Sequence, residues 1–318
     1  MKPVWQIVHL EKEYQKIMIS NPIKWPDGAK CAVAITFDMD SDSFLHVENP
    51  DTADQMIATT SWLQYDQIDI PRILKMYEKY GIKQTFFVPG WCAERYPDTV
   101  GAIVSAGHEI AHHGYLHEHP NSFSAAEEEY WFMRGLAALE NVTGKRPRGF
   151  RAPMYNFSKN SANFLSREGF LYDSSLMGDD IPYIIESDLG QLVELPTDWA
   201  MDDWPQYTHN PDLHYSMPIN SPDRAMDVYL SQFEAAWEYG GLWIAVWHPF
   251  VSGRLARCSR IDKMIQYMMD KGNVWFATLE EIANYVNQEV KDKRYVPRTV
   301  RLPFYDGRIP ELNNEGKF

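Results

Sequence analysis

The sequence is short of cysteine, of long apolar runs and of positive charge. Its cysteines, Cys31, Cys92 and Cys258, are odd in number and far apart, which argues against a disulfide framework and a zinc ribbon. We expect each to be a small buried side chain. No apolar run approaches the roughly eighteen residues that a membrane-spanning helix needs. With 30 basic and 44 acidic residues, the formal net charge is −14, which makes nucleic acid and acidic membrane surfaces unfavourable partners.

The composition is that of a large soluble protein. Hydrophobic residues make up 45% of the 318 residues, which is enough for a sizeable core, and the mean hydropathy is negative. Residues 1–13 lack the apolar core of a signal peptide and soon become charged, so we expect a cytoplasmic location. Length alone allows either one α/β barrel or two ordinary domains.

Short apolar segments alternate with helical patterns along most of the chain. The predicted strands are 31–38, 84–88, 108–112, 149–152, 192–196, 242–248 and 273–278. The predicted helices are 71–80, 97–105, 124–143, 158–168, 223–239 and 259–271. Pro71 would begin the first helix, and Ser124 with Glu127 would form a capping box on the third. Repeated β–α units indicate an α/β fold with a parallel sheet, and barrel enzymes keep their chemistry at the carboxyl ends of such strands.

A cluster of histidines follows the third predicted strand. Five of the ten histidines fall within residues 108–119, and His113 and His117 stand four apart, so one turn of the chain would place both imidazoles on one side. Asp38 and Asp40 follow the first strand and would share one face of an extended segment. Two imidazoles and one carboxylate are a common ligand set for a catalytic divalent metal, and a second carboxylate could accept a proton from water.

Five short motifs give the chain a family resemblance. They are AITFDMD (34–40), HGYLH (113–117), RAPM (151–154), VELP (193–196) and WHP (247–249). In order and spacing they resemble the polysaccharide deacetylase (NodB-homology) superfamily of metal-dependent amide hydrolases, over about residues 32–285. Met39 between the two aspartates and Met154 in the third motif depart from the usual pattern. Both departures, and the long insertion at 41–69, resemble an intracellular branch that includes a bacterial peptidoglycan deacetylase homologue, cyclic imidases and metal-independent allantoinases.

The resemblance implies an irregular (β/α) barrel of about seven strands. We expect this catalytic domain to span residues 30–290, between an N-terminal extension at 1–29 and a C-terminal arm at 291–318. The arm has a net charge of +3 in a chain of −14, so it would face a remainder at −17. The insertion carries Trp62, Leu63, Tyr65 and Ile68, more apolar surface than a solvated loop should show. Because the resembling branch is oligomeric, we expect a homotetramer in which the arm and the insertion contact neighbouring subunits.

The resemblance also implies a role for each residue of the metal site. Asp40, His113 and His117 would hold the ion, most simply Zn²⁺ or another divalent metal, which suits mixed nitrogen and oxygen ligands. Asp38 would be the general base, and Arg151 would pair with it and keep it ionised.

Two further groups would complete the chemistry. By the same resemblance, the backbone N–H of Met154 would donate to the developing oxyanion, and His248 would protonate the leaving nitrogen as the general acid. Four carboxylates could support His248, and the sequence leaves the choice among them open: Glu194, Asp198, Asp202 and Asp203.

Residues near these motifs receive structural or peripheral roles. We expect His112 to face away from the metal and His108 to satisfy backbone groups near the barrel base. Glu118 and His119 could support the ligand imidazoles or lie in a surface loop. Aromatic residues that follow strands could wall a substrate pocket, although eleven tryptophans imply that many belong to the core: Trp91, Tyr155, Trp199, Trp204 and Trp247.

These features predict a hydrolase of non-peptide carbon–nitrogen bonds that acts on a small N-acylated amine or a cyclic amide or imide. A polymer deacetylase would have to meet its substrate outside the cytoplasm, and the insertion is long enough to cover the metal site. N-deacetylation of a polysaccharide or peptidoglycan amino sugar is the alternative. A metabolite-binding barrel without catalysis would need neither Asp38 nor His248, and the complete metal-ligand set disfavours metal-independent allantoinase chemistry.

Overall fold

The computed structural model of the protein describes residues 18–305 and residue 307. The strands in these residues are β1 (Cys31–Asp38), β2 (Thr85–Val88), β3 (Glu109–His112), β4 (Gly149–Phe150), β5 (Tyr172–Asp173), β6 (Tyr183–Glu186), β7 (Gln191–Glu194), β8 (His209–Asn210), β9 (Tyr215–Ser216), β10 (Leu242–Trp247), β11 (Val274–Phe276) and β12 (Thr299–Arg301). The α-helices are α1 (Leu45–Glu48), α2 (Ile57–Leu63), α3 (Asp66–Tyr80), α4 (Gly90–Arg95), α5 (Pro97–Ser105), α6 (Ala125–Thr143), α7 (Ser161–Arg167), α8 (Trp204–Tyr207), α9 (Pro222–Tyr239), α10 (Pro249–Ser252), α11 (Leu255–Lys271) and α12 (Leu279–Lys291).

The main sheet is almost entirely parallel and has the strand order of a β/α barrel. Its path runs β10-β1-β2-β3-β4-β5-β7, with β6 and β12 added beyond β7 and β11 paired with β1. Among these pairings, β6 with β7 is antiparallel. The bridge between Asp202 and Val246 lies at β10, on the side where the barrel wall returns toward β7. The predicted α/β class and irregular barrel are confirmed, because seven strands form this path.

Strand β1 runs through the centre of the molecule. All eight of its residues are buried, as expected for a strand of a parallel sheet whose two faces are both covered. Its alternating side chains enter two different cores: Val33 and Phe37 pack in the larger one, whereas Ala32 and Ala34 pack with side chains of β2, β3, β5, β7 and β10. The central strand thus carries Asp38 at its carboxyl end on a rigid support.

Helix α12 closes the opposite end of the barrel and was not predicted. Leu279, Ile282, Ala283 and Val286 recur at helical spacing and are buried, each larger side chain contributing roughly 1.5–3 kcal/mol. The backbone N–H of Leu279 donates to the Thr85 hydroxyl, at the amino end of β2. This contact places the helix start at the end of the barrel away from Asp38.

The predicted start of the first long helix is wrong. Helix α3 begins at Asp66, so Pro71 lies inside it rather than at its first turn. Proline inside a helix removes one backbone hydrogen bond, and tertiary packing compensates here, because Asp69 and Ile70 are fully buried. The helix ends as expected at Gly81, which has a left-handed φ of 66°.

The insertion at 41–69 forms α1, α2 and the first turn of α3. Trp62 packs edge-on against Phe250 with ring centroids 5.1 Å apart, and it also contacts Trp204 at 6.1 Å. Leu63 is fully buried, whereas Ile57 and Ile68 are exposed. The insertion therefore packs part of its apolar surface on its own chain and leaves part uncovered.

The described part of the C-terminal arm adds to the main sheet. Strand β12 pairs in parallel with β6, and the Tyr295 hydroxyl donates to the Pro182 carbonyl oxygen at 2.6 Å. Arg298 pairs with Asp179 at 3.0 Å, and Arg301 with Asp188 at 2.6 Å. Basic residues of this part thus contact acidic residues of the same chain, and the expectation that the arm also contacts a neighbouring subunit stays a prediction.

Arg308, Lys317 and the acidic residues between them lie outside the described residues, as does most of the N-terminal extension. The division into residues 1–29, 30–290 and 291–318 stays a prediction, and we keep it as a proposal. In the described part of the chain, no helix is long and apolar enough to cross a membrane.

Candidate metal centre and active site

The carboxyl ends of β1 and β3 bring the predicted metal ligands together. The Nε2 atom of His113 lies 3.4 Å from one carboxylate oxygen of Asp40, and the Nε2 atom of His117 lies 3.4 Å from the other. All three side chains are buried, and their ligand atoms lie within 4.8 Å of one another. In the described residues, the Oδ1 atom of Asp40 has no hydrogen-bond partner. A buried carboxylate oxygen without a donor fits a bound cation, so these three residues fit a divalent metal.

The turn between the two histidines is held by a carboxylate rather than by a helix. Glu118 accepts hydrogen bonds from the backbone N–H groups of Tyr115 and Leu116, the latter at 2.7 Å. Gly114 has a φ of 72°, and a Cβ there would lie 2.9 Å from the Glu118 carboxylate. Glycine is therefore required at this position, and Glu118 shapes the ligand turn instead of contacting an imidazole.

The protonation states of the ligands suit a metal. Burial lowers the pKa of His117 to about 4, outweighing the opposing effect of Asp40. Burial would raise the pKa of Asp40, but His117, His248 and His113 together hold it well below its ordinary value. The Nδ1 atom of His113 lies 2.7 Å from the Arg151 carbonyl oxygen, which fixes the proton on Nδ1 and leaves Nε2 free. A neutral imidazole and an ionised carboxylate are the forms that bind metals.

Asp38 lies beside the ligand set without belonging to it. Arg151 is fully buried and donates from Nη1 to Asp38 Oδ1 at 2.6 Å. The same guanidinium donates to the Ser174 carbonyl oxygen at 3.0 Å and stacks over the Phe87 ring at 4.0 Å. The other Asp38 oxygen lies 3.8 Å from His113 Nε2. One carboxylate oxygen is thus held by arginine, and the second faces the metal position.

His248 receives its support from Asp203. Its Nδ1 atom lies 2.7 Å from Asp203 Oδ1, and its backbone N–H donates to the other carboxylate oxygen at 3.0 Å. Burial would lower the pKa of His248, but Asp203 and Asp40 raise it well above the ordinary value. The Nε2 atom, 3.4 Å from Asp40, is thereby left as a proton donor toward the site.

The other three carboxylates proposed for this support do different work. Glu194 accepts from the backbone N–H of Leu176, and Asp198 caps the turn at Ala200. Asp202 accepts from the Tyr155 hydroxyl and lines the pocket. Asp202, Asp203 and His248 also have ligand atoms within 4.8 Å of one another. We favour Asp40, His113 and His117 as the metal site, because the carboxylates of Asp202 and Asp203 are already occupied by protein donors.

Met154 contributes an unpaired backbone donor. In the described residues no acceptor pairs with its N–H, whereas the N–H groups of Ala152 and Tyr155 are both hydrogen-bonded. Its φ is 51°, in the left-handed region. Met154 lines the pocket, so this N–H belongs to the wall of the site.

The residues surround a pocket of about 300 Å³ with aromatic walls. Tyr155, Trp199 and Trp204 line it, in agreement with their predicted placement. Trp247 does not, because it is fully buried in the core against Phe37, and adjacent residues of a strand point to opposite faces. Trp91 packs against His46 and Tyr96 and is also absent from the lining. The sequence reasoning missed five lining residues: Phe44, Glu48, Ala152, Leu213 and Tyr215.

The remaining histidines take structural or rim positions. His112 faces away from the site, with its Nε2 atom 3.0 Å from the Phe132 carbonyl oxygen. His108 accepts the Gln84 backbone N–H at 3.1 Å. His119 stands at the pocket rim, 2.8 Å from Glu48, and does not contact the ligand imidazoles.

Comparisons with known proteins give matches over most of the chain. Residues 27–172 match the polysaccharide deacetylase family model. A peptidoglycan deacetylase of Helicobacter pylori is 31% identical over 246 residues, which cover 69% of this chain and 83% of that protein. A peptidoglycan deacetylase-like protein of Gibberella zeae is 30% identical over 252 residues, covering 68% of this chain and 75% of the relative.

Solved structures extend the likeness across most of the chain. A Mycobacterium smegmatis structure, described as a polysaccharide deacetylase, is 40% identical with a TM-score of 0.83, covering 90% of this chain and 98% of that one. An allantoinase structure at 23% identity and a TM-score of 0.72 covers 85% of this chain and 95% of its own; it shows the shared fold. On these matches and on the metal-site motifs, the chain belongs to the polysaccharide deacetylase family.

Proposed function

We propose that the protein is a metal-dependent hydrolase of non-peptide carbon–nitrogen bonds whose substrate is a small N-acylated amine or a cyclic amide or imide. One observation carries the proposal: Asp38, His248 and the ligand set Asp40, His113 and His117 converge on one buried pocket. A protein that only binds a metabolite needs neither a base nor an acid placed beside a cation site.

The geometry supports a division of labour among these groups. A divalent ion, with Zn²⁺ as our proposal, would polarise the carbonyl and the attacking water when bound by Asp40, His113 and His117. Asp38, oriented by Arg151, accepts the proton of the water. The Met154 N–H donates to the carbonyl oxygen as it gains charge, and His248 Nε2 donates a proton to the leaving nitrogen.

The size and cover of the pocket support a small substrate. A volume of about 300 Å³ is at the lower end of ordinary ligand pockets. Phe44, from the insertion, packs on His117 with ring centroids 5.6 Å apart and on Trp204 at 5.8 Å, so the insertion forms part of the wall beside the metal site. A cytoplasmic enzyme would meet small amides and imides, and we keep that location within the proposal.

N-deacetylation of an amino sugar is the second candidate. Aromatic walls such as those of Trp199 and Trp204 can stack on sugar rings, and the related Helicobacter pylori protein is named a peptidoglycan deacetylase. A panel of aliphatic N-acetylamines, cyclic imides, N-acetylglucosamine oligomers and intact peptidoglycan separates the candidates. Turnover confined to the oligomers and the polymer would replace the small-substrate proposal, and no turnover on any compound by zinc-loaded protein would favour a binding barrel.

The proposal includes a homotetramer whose subunits contribute to each other's active-site walls. The insertion exposes Ile57 (72%) and Ile68 (57%), apolar side chains that a neighbouring subunit would cover. Light scattering at micromolar concentration is expected to give four times the mass of 37.0 kDa. A monomer mass would remove the shared wall, while leaving the chemistry of the site untouched.

A further inference from the structure

Two consecutive residues of the pocket wall hold an uncommon backbone conformation. Met154 and Tyr155 have φ values of 51° and 56°, and neither is glycine. The left-handed region is unfavourable for such residues and persists only where the surroundings enforce it. Contacts within the fold must therefore hold Met154 and Tyr155 in this region.

The side chain of Tyr155 provides the enforcing contacts. Its hydroxyl donates to Asp202 Oδ2 at 2.6 Å, and its ring meets Trp199 edge-on with centroids 4.7 Å apart. Asp202 is itself fixed, because its other carboxylate oxygen accepts the Trp204 N–H at 2.7 Å and its backbone bridges to Val246 of β10. The strained segment is thus tied to the barrel wall through one phenol.

The conformation leaves a single backbone donor unpaired on the pocket wall. Of the backbone N–H groups from Ala152 to Tyr155, only that of Met154 lacks an acceptor among the described residues, and Pro153 has none to offer. The next residue after Asp202 is Asp203, which holds His248 by two hydrogen bonds. Neighbouring carboxylates therefore fix groups on two sides of the same pocket.

We infer that Tyr155 and Asp202 form a positioning pair that holds the Met154 N–H as an oxyanion donor in register with His248. The inference rests on the proposed function for the use of that donor, but not for the pair itself. Neither residue is a catalytic residue in this scheme: Tyr155 acts through the backbone of Met154, and Asp202 acts through Tyr155.

The pair is tested by replacing Tyr155 with phenylalanine, which keeps the ring and removes the hydroxyl. On zinc-loaded protein, calorimetry compares methylphosphonate, a tetrahedral anion that resembles the intermediate of acetyl transfer, with acetate, the planar product. We expect Tyr155→Phe to weaken the binding of methylphosphonate by roughly tenfold or more and the binding of acetate by less than about threefold. An oxyanion donor stabilises the tetrahedral anion more than the planar one. Metal content should remain one equivalent.

Two further variants make the assignment sharper. Asp202→Asn keeps an acceptor oxygen for the phenol and should retain most of the discrimination, whereas Asp202→Ala should lose it. Tyr155→Phe combined with Asp202→Ala should lose no more discrimination than Asp202→Ala alone, since both changes break the Tyr155–Asp202 hydrogen bond and Asp202→Ala already removes the acceptor of the Trp204 N–H. Tyr295→Phe removes a hydrogen-bonded hydroxyl outside the pocket lining and is the matched control, which should leave the binding of both anions unchanged.

The outcomes separate the inference from the proposed function. Equal weakening of the binding of both anions, or a larger loss in the double variant than in Asp202→Ala alone, would overturn the positioning pair. A crystal structure of Tyr155→Phe gives an answer independent of anion binding: the Met154–Tyr155 backbone should leave the left-handed region, and an unchanged backbone would also overturn the inference. If wild-type protein hydrolyses nothing yet the backbone relaxes in the variant, the proposed function fails while the pair stands.

Discussion

Carboxylates with several hydrogen-bonding or charged partners stand at both ends of this barrel, and those partners differ in kind. At the carboxyl ends of the strands, Asp38 is paired with the Arg151 guanidinium and Asp40 with three imidazoles. At the amino ends, Glu109 accepts hydrogen bonds from the hydroxyls of Thr85 and Tyr172, at 2.6 and 2.7 Å. The first end gathers positive or metal-binding groups, whereas the contacts at the second are neutral donors.

The partners of each carboxyl group decide whether burial leaves it ionised or protonated. Burial raises the pKa of Glu109 to about 7, with hydrogen bonds from neutral donors compensating only in part. For Asp40 the effect of burial on the pKa is outweighed by the nearby imidazoles, so the pKa falls below its ordinary value. A carboxylate held ionised can bind a cation, whereas Glu109 joins β2, β3 and helix α12, whose Glu280 N–H it also accepts at 3.0 Å.

Of the changes that test this contrast between the two ends of the barrel, removal of both ligand imidazoles should have the largest effect on metal binding and activity. We expect the double variant His113→Ala, His117→Ala to lose its metal equivalent and its hydrolytic activity, because Asp40 alone cannot retain the ion. Elemental analysis of dialysed protein measures the loss. His119→Ala, at the rim, is the control and should keep one equivalent. Full metal content in the double variant would mean that the cation binds elsewhere, for example at Asp202, Asp203 and His248.

Asp38→Asn should abolish the role of a general base without affecting the binding of the metal. The amide is nearly isosteric and leaves the metal bound, but it cannot accept the proton of water. Turnover should fall by about 10²–10⁴-fold or more, the usual range for general acid–base assistance. Steady-state kinetics with parallel metal analysis provides the measurement. A variant with normal turnover would show that another group is the base.

His248→Ala should show an effect that depends on the leaving group. The variant is expected to retain metal and to lose up to about 10²–10⁴-fold in kcat on alkyl amides, because their nitrogen must be protonated before it departs. The loss in kcat should be smaller on aryl amides, whose leaving groups depart more readily. Equal losses across a leaving-group series would mean that His248 has a role other than proton donation.

Local signals in the sequence correctly predicted those elements whose ends are marked by residues that begin or stop helices and strands. The bounds of β1 and α5 agree with prediction, and the Ser124–Glu127 capping box is present, because an apolar run, a proline and a cap are all local features. The motif residues predicted for the metal site converge in space because each follows the carboxyl end of a strand, which parallel topology brings to one edge.

The features that the sequence did not reveal depend on long-range contacts. Strand β12 forms because it pairs with β6, more than a hundred residues earlier in the chain. A strand of three residues is too short to show a periodic pattern from which it could be predicted. Asp202 and Asp203 are adjacent and chemically identical, so the direction of the chain at that point decides which one meets His248. The wrong placement of Trp247 in the pocket could have been avoided, because Trp247 precedes His248 on the predicted strand 242–248 and side chains of adjacent residues in an extended segment point to opposite faces.

The smallest expected effect lies at the amino end of the barrel, and it concerns stability rather than activity. The folded pKa of Glu109, about 7, is above the unfolded value near 4.3, so the folded state retains a proton that the unfolded chain releases. The contribution of Glu109 to the free energy of unfolding is therefore lost progressively between about pH 4.3 and pH 7, by roughly 3–4 kcal/mol in total. In Glu109→Gln this pH dependence should disappear, while metal content remains unchanged. Urea unfolding of both proteins from pH 5 to pH 8 measures the difference. Parallel pH profiles would show that Glu109 is ionised in the fold, and the contrast between the two ends of the barrel would then fail.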